Sequence, residues 1–131
     1  MFDNRIALYI AEAAPSQTWR DLAEQHNWHL LHQADLMSAL GAYITYLPAI
    51  VVLDLQDSPL AREASYHLES VFTTSPQNAQ LVIELRHCYQ MTQQGLLMRI
   101  SIPKDASMSQ LNAMLDEACQ LAAPSWKQPI A

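Results

Sequence analysis

Acidic side chains stand near the ends of three predicted strands in this sequence. Asp54 lies near the end of a buried-looking apolar run, Glu12 follows the first apolar run, and Glu84 lies near the end of a later one. The carboxyl ends of parallel strands meet at one edge of a sheet, so we expect the three carboxylates to cluster there. Carboxylate oxygens in such a cluster could bind a hard cation or take part in phosphoryl transfer.

The elements that must position these acids follow from apolar periodicity and from turn residues. Five strands are predicted, at residues 6–10, 28–33, 49–55, 79–85 and 96–102. Helix starts are indicated by four residues that can cap a first turn: Ser16, Asp35, Ser58 and Ser107. Residues 86–95 leave room for a crossover helix of one or two turns between the last two strands. About five helices alternating with five strands predict a three-layer α/β sandwich with a parallel sheet.

Composition limits the function. The 131 residues predict one domain at residues 1–123 and a tail or linker at 124–131. Only two glycines are present, which excludes the glycine-rich phosphate loops. The formal net charge of −6 disfavours binding to nucleic acid or to an anionic membrane. No signal peptide or apolar span of membrane length is visible, so a cytoplasmic location is expected.

The stretch PAIVVLDLQDSP at residues 48–59, together with Ile102 and Pro103, resembles the receiver domain of bacterial response regulators. The resemblance implies a flavodoxin-like fold with strand order 2-1-3-4-5. By position, Asp54 matches the phospho-acceptor aspartate of that family. Glu12 matches one of the two acids that help to bind magnesium there.

Several positions depart from the family pattern. Glu12 stands without a second acid beside it, and Glu84 replaces the family's Ser or Thr. Ile102 stands where the family has a lysine before the proline, and Arg99 stands at the switch aromatic. These departures predict a degenerate pseudo-receiver with no catalytic activity. No cofactor is expected, and Mg²⁺ at Glu12 and Asp54 would bind weakly.

Other interpretations remain open. Lys104 follows Pro103 and could reach the site, in which case the domain is a receiver still phosphorylated at Asp54 with Mg²⁺. Asp54 could instead cap a loop, and Glu84 could pair with Arg86 or Arg99. A flavodoxin-like enzyme or small-ligand binder is a further alternative, because a fold does not fix a function.

The expected mode of action is protein–protein contact in two-component or phosphorelay signalling. The partner would be a signalling protein, such as a sensor kinase, or a second copy of the chain. We predict a contact face made of residues 86–95, the fifth strand and the helix from Met108, with Tyr89, Met98 and Arg99 as candidate contact residues. The short crossover should leave apolar side chains on this face uncovered and favour a symmetric dimer.

Overall fold

The computed structural model describes residues 5–74, 80–94 and 97–121. These residues form one α/β domain with a mostly parallel sheet. The strands are β1 (Ile6–Ile10), β2 (His29–Gln33), β3 (Ile50–Asp54), β4 (Gln80–Arg86), β5 (Gln90–Gln94) and β6 (Leu97–Pro103). The helices are α1 (Gln17–Gln25), α2 (Leu36–Tyr46), α3 (Pro59–Thr74) and α4 (Met108–Leu121). None of these helices is long and apolar enough to cross a membrane.

Helices cover both faces of the sheet and enclose two apolar cores. On one face, Trp19 and Leu22 of α1 and Leu111 of α4 pack on the sheet. On the other face, α2 and α3 pack on the sheet through residues such as Ala39 and Leu68. β3 contacts both cores and is fully buried, which explains its almost uninterrupted apolar sequence.

The helix starts use the capping residues that the sequence indicated. The Ser16 and Asp35 side chains accept hydrogen bonds from the backbone N–H groups of the first turns of α1 and α2. Ser58 Oγ accepts a hydrogen bond from the Ala61 N–H at 3.0 Å. At α4 the capping box is reciprocal: Ser107 N–H donates to Gln110 Oε1 at 2.9 Å, and Gln110 N–H donates to Ser107 Oγ at 3.3 Å.

The sheet differs from the predicted one at a single edge. It has six strands in the order β2-β1-β3-β4-β6-β5, with β5 antiparallel to β6. The predictions of five strands, a wholly parallel sheet and a helix within residues 86–95 are therefore wrong. The strand predicted as the fifth is β6, and it lies beside β4 as a parallel neighbour.

Chain length explains the replacement of the helix by a strand. A strand advances about 3.3 Å per residue and a helix about 1.5 Å. The few residues between β4 and β6 can therefore run back along the sheet as a strand, whereas a helix of one or two turns is too short. The described residues accordingly contain four helices rather than about five. Leu96 and the predicted tail at residues 124–131 lie outside the described residues.

Candidate functional site

Asp54 is the last residue of β3 and is almost buried, with 3% of its surface exposed. Both of its carboxylate oxygens have partners. Oδ1 accepts a hydrogen bond from the Asp57 N–H at 3.2 Å, and Oδ2 lies 2.7 Å from Lys104 Nζ. A buried carboxylate needs such partners because losing its hydration without them is costly. Asp54 thus forms both a loop contact and an ion pair.

Lys104 is the cation of this site. Its Nζ also lies 2.8 Å from Asp57 Oδ2, so one ammonium group bridges two carboxylates. The hydrogen bond to Asp54 and, to a smaller extent, the one to Asp57 raise the pKa of Lys104 well above its ordinary value. The lysine therefore remains protonated across the physiological range.

The register of the sheet explains the position of Lys104. The sheet register aligns Asp54 with Leu85 of β4 and Leu85 with Ile102 of β6. Lys104 follows Ile102 by two residues, which is the period at which strand residues return to the same face. From the sequence alone, Ile102 aligns with the lysine of the family, so contact of Lys104 with the site is only an alternative that requires a shift of register.

Glu12 is bound to the loop that follows β3. The Ser58 hydroxyl donates a short hydrogen bond to Glu12 Oε1, and the Leu60 N–H donates to Oε2 at 3.4 Å. The Ser58 hydrogen bond is the main reason that the pKa of Glu12 lies below its ordinary value. Ser58 N–H also donates to the Asp54 carbonyl oxygen at 3.2 Å. One serine therefore connects the segment carrying Glu12 to the segment carrying Asp54.

Glu84 does not share the environment of the other two acids. It is in register with Leu53, whereas Asp54 is in register with Leu85. Val82, two residues earlier on β4, belongs to the core under α2 and α3, so Glu84 points to that face. The expected cluster of three carboxylates is wrong in this respect. The sequence placed Glu84 at the correct edge but could not determine its face without the register.

Glu84 instead belongs to an ion-pair network. Its Oε1 lies 3.1 Å from Arg86 Nε, and its Oε2 lies 3.7 Å from Arg99 Nε. Arg99 also makes a two-pronged contact with Glu69 of α3, at 3.0 and 2.6 Å. The hydrogen bond to Glu69 is the main reason that the pKa of Arg99 is raised. Arg99 therefore ties β6 to α3.

The three candidate contact residues have different exposures. Tyr89 is exposed, and Arg99 is half-buried in the network described above. Met98 has only 2% of its surface exposed and belongs to the core under α1 and α4. The prediction that Met98 contacts a partner is wrong because its side chain points to the face of the sheet that α1 and α4 cover.

A polar cleft of about 480 Å³ opens beside the Asp54–Lys104 pair. It is lined by Gln56, Asp57, Arg86, His87, Pro103, Lys104 and Asp105. The cleft lies at the carboxyl ends of β4 and β6, the edge at which α/β sheets place their ligands. Its basic side chains are Arg86 and His87 at the end of β4 and Lys104 after β6. Its acidic side chains are Asp57 and Asp105.

Any metal at this site would have to use Glu12, Asp54 and Asp57. Within the described ranges, no three His, Cys, Asp or Glu side chains converge in a way that could hold an ion. The Lys104 ammonium lies 2.7 Å from Asp54 Oδ2, so a Mg²⁺ ion bound to that carboxylate would lie close to a positive charge.

The fold of the chain is similar to that of a solved structure. The chain is similar to the N-terminal domain of a response regulator/sensory box/GGDEF 3-domain protein from Carboxydothermus hydrogenoformans. The likeness is one of fold. The TM-score is 0.58 at 11% sequence identity, over 88% of this chain and 94% of that chain. No family model matches the sequence, and no curated protein matches it.

Proposed function

We propose that this chain is a receiver-like regulatory domain of signal transduction, with a flavodoxin-like core, that acts mainly through protein–protein contact. The observation that carries the proposal is the Lys104 ammonium held 2.7 Å from the nearly buried Asp54 carboxylate, at the carboxyl edge of a mostly parallel sheet. The likeness to a response-regulator domain supports the proposal at the level of fold.

The phosphorylation site is proposed to be degenerate. One Asp54 oxygen accepts a hydrogen bond from the Asp57 N–H and the other pairs with Lys104, so a cation and a phosphoryl donor would have to share these oxygens with partners already in place. The side chain next to Asp54 on β4 is Leu85, which cannot donate a hydrogen bond to a phosphoryl group. Glu12 is bound by Ser58 at the start of α3. These contacts favour a domain held in one state over one switched by phosphorylation.

The proposed output is a contact with another protein rather than catalysis. We propose no resident cofactor, and Mg²⁺ binding that is weak at most. The partner is a signalling protein, such as a sensor kinase, or a second copy of the chain. Nucleic acid and membrane surfaces are disfavoured as partners because the net charge is −6.

The proposal is tested by incubating the protein with acetyl phosphate and Mg²⁺ and measuring its intact mass. We expect no gain of a phosphoryl group in the wild type or in Asp54→Asn. Magnesium titration followed by NMR should show weak shifts, similar in wild type, Asp54→Asn and Glu84→Gln. A stoichiometric mass gain that Asp54→Asn abolishes would overturn the degenerate-site proposal.

A second candidate is a receiver that is still phosphorylated at Asp54. The observation in its favour is that the site keeps a lysine on the acceptor aspartate and has Arg86 and His87 in the adjoining cleft. Cationic groups in those positions could stabilise the charge on phosphoryl oxygens. This candidate predicts the mass gain described above and tight Mg²⁺ binding that Asp54→Asn removes.

A further inference from the structure

Helix α2 lacks charge. Residues 36–53 contain no Asp, Glu, Lys, Arg or His, although the chain as a whole has a net charge of −6. A helix that is apolar all round is normally buried on all sides. In the described residues, however, α2 has the sheet and α3 on one side and no protein on the other.

The outer side of α2 is an apolar stripe. We define the α2 stripe as Met37, Gly41 and Ile44, which follow one another at the i, i+4, i+7 spacing of a single helix face. Met37 is 77% exposed and Ile44 is 73% exposed. The opposite side of the helix, with Ala39, is buried in the core. Four of the seven large apolar side chains that are exposed in the described residues belong to α2 or its C-cap, namely Met37, Ile44, Tyr46 and Leu47.

Packing among the described residues does not require a glycine at Gly41, the centre of the stripe. A Cβ atom added there would have no heavy atom within 4 Å. Glycine inside a helix costs roughly 0.5–1 kcal/mol relative to alanine. A glycine on an exposed apolar stripe does allow the backbone of a second helix to approach closely.

We propose that the α2 stripe is a homodimer interface in which α2 of one copy packs against α2 of a second copy. Self-pairing suits this stripe because residues 36–53, which include all of α2, bring no charged side chain from either copy to the contact, although each copy has a net charge of −6. A symmetric dimer also brings the same surface of both copies together.

The area of this surface determines the strength of the dimer. The exposed apolar side chains on the side of the stripe, Met37, Ile44 and Leu47, amount to an area on the order of 400 Å² per copy. Two copies would bury about 800 Å² through them, below the roughly 1,000 Å² of a stable specific interface, so the contact is weak. The dimer is therefore reversible and dependent on concentration.

The face around Tyr89 fits a dimer less well. The neighbouring Leu97 and Met98 are buried, and β5 exposes glutamines instead of apolar side chains. Among the described residues of that face, Tyr89 is the one large apolar side chain that is exposed.

Analytical ultracentrifugation of the full chain over roughly 10–500 μM tests the proposal. We expect reversible dimerisation in the wild type and a dissociation constant raised at least about tenfold in Ile44→Glu and in Met37→Glu. Tyr66→Glu is the matched control, because Tyr66 is 81% exposed on the neighbouring α3. It should dimerise as the wild type does.

Circular dichroism should show unchanged helix content in all variants, since the substituted side chains are exposed. A wild type that stays monomeric throughout the range would overturn the proposal. So would a dimer that is insensitive to both α2 substitutions, or one that Tyr89→Glu dissociates while Ile44→Glu leaves it intact. That last result would place the interface on the β5 side.

Discussion

Replacing Lys104 by methionine tests the central contact of the site. The substitution keeps most of the aliphatic stem but leaves the Asp54 carboxylate, whose side chain is 4% exposed, without its cation. Removing one partner of a fully buried ion pair costs about 3–5 kcal/mol. The Lys104 side chain is 35% exposed, so water can partly replace the ammonium group. We therefore expect Lys104→Met to lower the free energy of unfolding by about 1–2 kcal/mol.

Urea unfolding of a double-mutant cycle measures this contact. Asp54→Asn removes the charge and keeps an oxygen for the Asp57 N–H, so it should cost less than Lys104→Met. The two substitutions together should show a coupling of about 1 kcal/mol. Asp57→Asn is the control: it removes the other carboxylate bound to Lys104, but that side chain is 58% exposed. It should cost less than about 0.5 kcal/mol.

One result would refute this account of the site. If Lys104→Met unfolds within about 0.3 kcal/mol of the wild type and the coupling is near zero, the ion pair does not hold Asp54. The carboxylate would then be held by the loop alone. The proposed single-state site would lose its main support.

Two further predictions concern Tyr9 and Gly41. Burial, assisted by the charge of Asp54, raises the pKa of Tyr9 from 10.0 to about 12. The folded protein therefore holds this proton at pH values where the unfolded chain releases it, so stability should be unaffected below pH 10 and fall as the pH rises from 10 to about 12. Tyr9→Phe should reduce that fall and remove one of the late-titrating groups from the tyrosinate absorbance, the other being Tyr43, whose pKa burial also raises. A Tyr9 that ionises together with exposed tyrosines would contradict this. For Gly41→Ala, dilute protein should unfold at a temperature higher by a few degrees, because alanine favours the helix by roughly 0.5–1 kcal/mol and fits without a clash. At high concentration the added methyl group should weaken the dimer; an unchanged melting temperature in dilute protein would count against a free space at Gly41.

Local signals in the sequence predicted much of the fold. The bounds of β1 agree with the prediction, and β3 differs from it by one residue at each end. The four capping residues could be identified because a cap joins a side-chain oxygen to a backbone N–H group only three residues further along the chain. The helices on both faces follow from the alternation of strands and helices. The order of the first four strands agrees with the order that the resemblance to receiver domains implied.

The strand β5 could not be predicted in the same way. Among Gln90–Gln94 only Met91 is apolar, so the segment shows no two-residue alternation. An outer strand needs little burial, because its backbone pairing with β6 supplies the hydrogen bonds. The length of residues 86–95 is a usable signal for a strand, because ten residues are too few for a crossover helix with its two connections.

The sequence predicts where the acidic residues of the site lie in the sheet, but it does not predict which side chains they contact. Asp54 and Glu12 follow from their positions at strand ends. The face of Glu84 depends on register, which aligns it with Leu53. The Lys104 contact depends on how a long side chain turns after Pro103. Neither can be determined from apolar periodicity.

The hairpin of β5 and β6 has a consequence for the order of folding. In an alternating βα chain, a parallel neighbour pairs only after a long segment has been ordered, and such non-local pairing is slow. Here β6 can first pair with β5, its nearest strand in sequence, and the two strands can then dock on β4 as a preformed unit. The inner strand β6 would thus join the sheet with the backbone hydrogen-bonding groups of one edge already paired with β5. Its docking on β4 would complete the hydrophobic core under α4.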